Sequence, residues 1–108
     1  MTMEHLAFRF EGGSPLAGRG PQIVGVVASG NLEVLIEPAA EQGACAVEVH
    51  TAARGFAHIW HAVLADFFDR HRLGDVRVSI NDAGATPATV SLRLRQAAEA
   101  FADPGHAR

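Results

Sequence analysis

Apolar and polar residues alternate along several short stretches of this chain, and one longer stretch changes to a helical period. Leu6, Phe8 and Phe10 alternate with Ala7 and Arg9, which predicts a first strand. Glu11 to Pro21 is rich in glycine and proline and reads as a loop. Two strand-type runs then follow, Ile23 to Ala28 and Leu32 to Glu37, separated by Ser29-Gly30-Asn31. Gly-Asn supplies the positive φ angles that a two-residue hairpin turn requires. The pattern therefore predicts a hairpin ending at Pro38, with Ser29 at or beside its tip and its hydroxyl toward solvent.

A polar connection, Ala39 to Gly43, leads to a further alternating strand from Cys45 to Thr51. From Phe56 the period becomes 3.6. Phe56, Ile59, Trp60, Val63, Leu64 and Phe67 share one helix face, while His58, His61, Ala62, Ala65 and Asp69 lie opposite. This helix is expected to reach about Arg72 and to stop near Gly74, a usual capping residue. Val76, Val78 and Ile80 predict the next strand. After a loop from Asp82 to Pro87, Val90, Leu92 and Leu94 predict another, paired antiparallel with it. Gln96 to Ala102 turns helical, and Asp103-Pro104-Gly105 ends it and leaves a loose tail from about residue 103. The fold class expected is α+β: an antiparallel or mixed sheet with one long helix packed on one face, a sandwich of two layers.

With 108 residues and nearly half of them apolar, the chain suits one domain spanning 1–108. No apolar run approaches the roughly 20 residues of a membrane span, and Met1 to His5 shows no secretory signal. A single cysteine builds no disulfide framework. These features lead us to expect a cytoplasmic protein with no membrane partner. All nine basic residues are arginines, set against twelve carboxylates for a net charge of −3. Nothing forms a basic stripe with interleaved aromatics, so no nucleic-acid partner is expected.

Candidate chemistry is sparse. Ser29 is either a common turn residue or a handle for a modifying enzyme. A hydrolase elbow would need glycines where Val27 and Asn31 stand. His58 and His61 sit three apart on the helix, but His71 falls more than about 120° around the wheel from His58, and a structural zinc needs four ligands. They read as a solvated face, and no metal is expected. Cys45 shares its strand side with Val47 and Val49 and reads as a small inward hydrophobe. Gly13 to Gly20 imitates a phosphate loop, but Arg19 replaces the lysine, Gly20 replaces Ser/Thr and Pro15 lacks an N–H. In Asp82 to Pro87, Gly84 suits a positive φ angle and Pro87 fixes the return into the following element. That loop is a candidate docking surface if it shares an edge with Ser29.

Two blocks carry a family resemblance. Val26-Val27-Ala28-Ser29-Gly30-Asn31-Leu32-Glu33-Val34-Leu35 resembles the prosthetic-group segment of the acyl carrier (delta) subunit of malonate decarboxylase. Ile80-Asn81-Asp82-Ala83-Gly84-Ala85-Thr86-Pro87, followed by Val90 to Gln96, is similar to that family's other signature. The resemblance runs from about His5 to Ala98. It departs at Asn31, where the family more often carries aspartate; asparagine serves a turn equally well. The acyl carrier chain of citrate lyase matches less well.

The resemblance implies an acyl carrier subunit of a biotin-independent malonate decarboxylase, not an enzyme by itself and not a four-helix acyl carrier. Ser29 would hold 2′-(5″-phosphoribosyl)-3′-dephospho-CoA through a phosphodiester, and that arm would carry acetyl and malonyl as thioesters while malonate is decarboxylated to acetate and CO2. Cys45, facing inward, is badly placed to offer a thiol, so the thiol would be the arm's. Implied partners are the transferase and decarboxylase subunits of the complex and a prosthetic-group transferase. Glu33 and Glu37, then Glu48 and His50, are candidate docking residues. The rival readings are a citrate-lyase-type carrier and an unmodified α+β binding or assembly domain.

Overall fold

The computed structural model describes residues 3–14 and 25–102. Five strands form one sheet: β1 (Glu4–Phe10), β2 (Gly25–Ser29), β3 (Leu32–Pro38), β4 (Cys45–Thr51) and β5 (Val76–Asp82). Two helices, α1 (Ala57–His71) and α2 (Pro87–Ala102), complete the described elements. The spatial order is β1-β4-β5-β3-β2. All neighbouring pairs are antiparallel except β4 and β5, which run parallel and are joined through α1. A parallel pair needs such a crossover because a tight turn can only reverse the chain. The sheet is therefore mixed, and the two-layer α+β expectation holds.

Alternation in the strands sorts the residues between the two faces. Val34 and Ile36 of β3, Val47 and Val49 of β4, and Val78 and Ile80 of β5 are buried beneath the helices. Glu33, Glu48, His50, Arg77 and Asn81 lie on the opposite, open face and are exposed. α1 packs over β1 and against α2, while α2 covers β2 and β3. Trp60, Leu64, Phe67 and Phe68 bury one face of α1, and Phe10 of β1 stacks on Phe68 at 5.5 Å. That burial supplies most of the helix's stability, since an isolated helix of 15 residues is marginal in water.

Two expectations need correction. Val90 to Arg95 is not a strand pairing with β5; it belongs to α2, and β5 pairs with β4 and β3 instead. The sheet thus carries two long helices, not one. The reason is local. Thr86 Oγ1 accepts from the Thr89 backbone N–H at 3.2 Å, an N-cap, and Pro87 occupies the first helical position, where its missing N–H costs nothing. Val90, Leu94, Ala97, Ala98 and Phe101 then recur at helical spacing and are buried, whereas Leu92 is largely exposed.

The end of α1 is the second correction. Its left-handed cap is Arg72, at φ 49°, whose N–H reaches Phe68 O at 2.7 Å. Gly74 has a different duty. A β-carbon there would lie 2.6 Å from Gly13 C and 2.7 Å from Gly43 O. Three backbone segments meet at that point, tied by Gly13 N–H to Gly43 O at 3.0 Å and Gly74 N–H to Ser14 O at 3.1 Å. Residues 15–21 of the expected loop, Ile23 and Val24 of the expected second strand, and the tail from 103 lie outside the described residues.

Candidate functional site

Strand register determines which parts of the chain share the Ser29 end of the sheet. Ser29 is the last residue of β2 and pairs with Leu32 across the two-residue turn Gly30-Asn31; the hairpin lies where the pattern predicts it, but neither Gly30 nor Asn31 takes the positive φ angle expected there. Leu32 in turn pairs with Asp82, and Asp82 with Thr51. The ends of β2, β4 and β5 and the starts of β1 and β3 therefore come together. Both helices begin there too, since α1 follows β4 and α2 follows β5.

The Asp82 to Pro87 loop lies against the hairpin turn, meeting the condition set for a shared edge. Ala83 N–H donates to Asn31 O at 2.9 Å. Asp82, almost fully buried, organises the loop: its Oδ1 accepts from the backbone N–H groups of Gly84 and Ala85 at 3.1 and 2.8 Å, and its Oδ2 accepts from Thr51 Oγ1 at 2.8 Å. Gly84 takes φ +117°, which side chains rarely adopt. The sequence pattern marks Asp82 as the start of this loop and Thr51 as a strand end, but not the bond between them. The readable signal was Asp82-x-Gly84, a carboxylate positioned to bond backbone two residues on.

Two concavities open at this end. One, of about 400 Å³, borders the turn and is lined by Met3, Gly30, Asn31, Leu32, Glu33, Asn81, Asp82 and Ala83. The other, of about 250 Å³, lies between the start of α1, the Asp82 to Pro87 loop and the first turn of α2. Its walls are mainly apolar and include Phe56, Ile59, Trp60, Val63 and Val90. Asp82 contributes to both.

The turn that follows Ser29 is uncrowded. A β-carbon built on Gly30 would meet nothing within 4 Å, and the adjoining hollow is open. Charge near the tip is another matter. Among the described residues of the three loops at this end, Arg54 is the sole arginine. Nothing there offers a cluster of cations to clamp phosphates, so a phosphodiester at Ser29 would be tethered and not gripped.

The other predicted positions separate clearly. Glu33 and His50 are exposed on the open face, where Glu33 Oε1 accepts from Asn81 Nδ2 at 3.1 Å, and Glu48 is exposed alongside. Glu37 is half-buried at the far end of β3. His58 and His61 are exposed on α1, and His61 lies 5.9 Å from the rings of both Phe8 and Phe10. Among the described residues no group of His, Cys, Asp and Glu could hold a metal. Cys45 is fully buried, and burial pushes its thiol up to about 12. No described helix is long and apolar enough to cross a membrane.

Comparison with known proteins adds the biochemical frame. A model of the malonate decarboxylase delta subunit (MdcD) family of acyl carrier proteins matches residues 19–101. The malonate decarboxylase acyl carrier protein of Stenotrophomonas maltophilia (strain K279a) is 61% identical over 98 residues, covering 90% of this chain and 92% of that one. Its counterpart in Burkholderia cepacia is 60% identical over 96 residues, covering 89% and 88%. Among solved structures, a chain of a Pseudomonas malonate decarboxylase hetero-tetramer in complex with malonate superposes with a TM-score of 0.73 at 40% identity, covering 92% of this chain and 99% of that chain.

Proposed function

Since the chain belongs to the malonate decarboxylase delta subunit family and is an acyl carrier subunit of that enzyme, we propose that Ser29 is the residue on which the acyl group travels. On this reading a prosthetic-group transferase attaches 2′-(5″-phosphoribosyl)-3′-dephospho-CoA to the Ser29 hydroxyl through a phosphodiester. The bound group supplies a thiol at the end of a long arm. Acetyl and malonyl are then held as thioesters, and the chain itself performs no catalytic step. A thioester suits the reaction because it delocalises the charge left when CO2 departs, and a partner subunit can stabilise the resulting oxyanion. Free malonate has no such electron sink.

The observation that supports this most is the position of Ser29 beside a two-residue turn, at the end of an edge strand of the five-stranded sheet. A rigid hairpin fixes the anchor, and a long arm reaches several active sites at high effective concentration. Cys45, buried with its pKa raised, offers no competing thiol. The partners proposed are the transferase and decarboxylase subunits of the complex, acting in the cytoplasm. Ser29→Ala tests the assignment. Malonate decarboxylation by the reconstituted complex should disappear while the variant's circular dichroism and its assembly with the other subunits stay unchanged. Full activity of Ser29→Ala would refute it.

A further inference from the structure

The apolar cavity between α1 and the Asp82 to Pro87 loop is unexplained by the carrier role alone. From its position and lining we infer that it shelters the acetyl-bearing end of the arm between visits to partner subunits, an inference that rests on Ser29 carrying that arm.

Four observations converge on it. The cavity and the hollow beside the hairpin turn share Asp82 in their linings, so the two adjoin at the Ser29 end of the sheet. The lining is predominantly apolar, with Ile59, Trp60, Val63 and Val90 forming the wall beneath the rim. Phe56 stands on that rim, 45% exposed, at the N-cap of α1, where it makes no side-chain capping bond. Serine, threonine or aspartate would serve the helix better there; a phenyl ring serves an apolar occupant. Finally, about 250 Å³ falls below the roughly 300–1,000 Å³ of sites that enclose drug-sized ligands, which fits the tip of a chain and not a whole cofactor.

Charge makes the cavity selective. The Asp82 carboxylate sits on its edge, held by three donors, and no arginine or histidine side chain lines the cavity to pair a second carboxylate. A malonyl group would bring its own carboxylate into that setting and lose hydration without compensation. The acetyl form therefore enters and the malonyl form stays outside. Shelter slows the hydrolysis in which water adds to the thioester carbonyl and the thiol departs, because the mainly apolar lining gives an attacking water few hydrogen-bond partners. Malonyl, left outside, remains available to the decarboxylase.

The test uses the carrier isolated from its native source, with modification of Ser29 first checked by mass. The arm is loaded with ¹³C-acetyl or ¹³C-malonyl, and nuclear Overhauser contacts from the label are recorded. Contacts from acetyl to Trp60 and Val63, absent for malonyl, are expected. The acetyl thioester should also hydrolyse at least about threefold more slowly than that of free acetyl-pantetheine. Ala53→Leu, which fills the cavity from its half-buried edge, should abolish both effects with an unchanged melting profile. A modified carrier that shows no contacts and no slowed hydrolysis overturns the inference and leaves the carrier role standing. So does a cavity-filled variant that only loses partner subunits. An unmodified Ser29 overturns both.

Discussion

Thr51 and Asp82, the last residues of the parallel strands β4 and β5, are register partners and are joined by a buried 2.8 Å hydrogen bond from Thr51 Oγ1 to Asp82 Oδ2. That bond closes the Ser29 end of the sheet, and the other carboxylate oxygen shapes the loop against the hairpin turn. Asp82→Ala would leave the Gly84 and Ala85 backbone N–H groups without their acceptor and the Thr51 hydroxyl with only its longer 3.4 Å bond to Ala53 O. A loss on the order of 2–3 kcal/mol in urea unfolding is expected. Asp82→Asn, which retains an acceptor, should recover part of it. An Asp82→Ala protein as stable as the parent would mean that the loop is shaped by other contacts.

Gly74 tests the opposite end. Any β-carbon there collides with backbone of Gly13, Gly43 and Ser14, none of which can rotate away. Gly74→Ala should cost about 1–3 kcal/mol, the usual cost of overpacking. The loss should appear as a lower midpoint in chemical denaturation.

Cys45 should be chemically silent. Only the thiolate attacks a disulfide reagent, and burial raises this thiol to about 12. A thiol-reactive dye at pH 8 should leave the folded protein unlabelled for as long as urea-unfolded protein takes to react completely. Cys45→Ala should keep malonate turnover by the complex. Labelling of the folded chain would reopen Cys45 as an acyl carrier.

Glu41 links stability to pH. Its carboxylate accepts from Arg9 at 2.8 Å and from Arg77 at 3.1 Å, and these hydrogen bonds hold its pKa below the ordinary glutamate range. A folded-state pKa depressed in this way adds stability at neutral pH, which is lost as the pH falls through the ordinary glutamate range toward the lowered folded value. Glu41→Gln should therefore be less stable than the parent at pH 7, with the difference shrinking toward pH 3. Equal pH profiles would refute the contribution.

How much of this was legible in sequence depends on the range of the cause. The hairpin was readable because Gly30-Asn31 and its flanking alternation are local. The face of α1 was readable because Trp60, Leu64 and Phe67 recur at helical spacing over about two turns. The first half of α2 was misread because Val90, Leu92 and Leu94 also satisfy a period of two, whereas Gln96 to Ala102 was legible as helix. Thr86-Pro87, a helix start, should have decided between them. Strand order could not be read, since the β4–β5 pairing joins residues about 31 apart. The cavity was hidden for the same reason: Ala53, Trp60 and Val90 meet only after both helices dock.

The assignment of Ser29 is tested most directly by the intact mass of the protein from cells growing on malonate, with any increment mapped by peptide fragmentation. An increment matching phosphoribosyl-dephospho-CoA on the Ser29 peptide, absent from Ser29→Ala, is the expected result. An unmodified Ser29 in a complex that still decarboxylates malonate, or an increment on another residue, would contradict it.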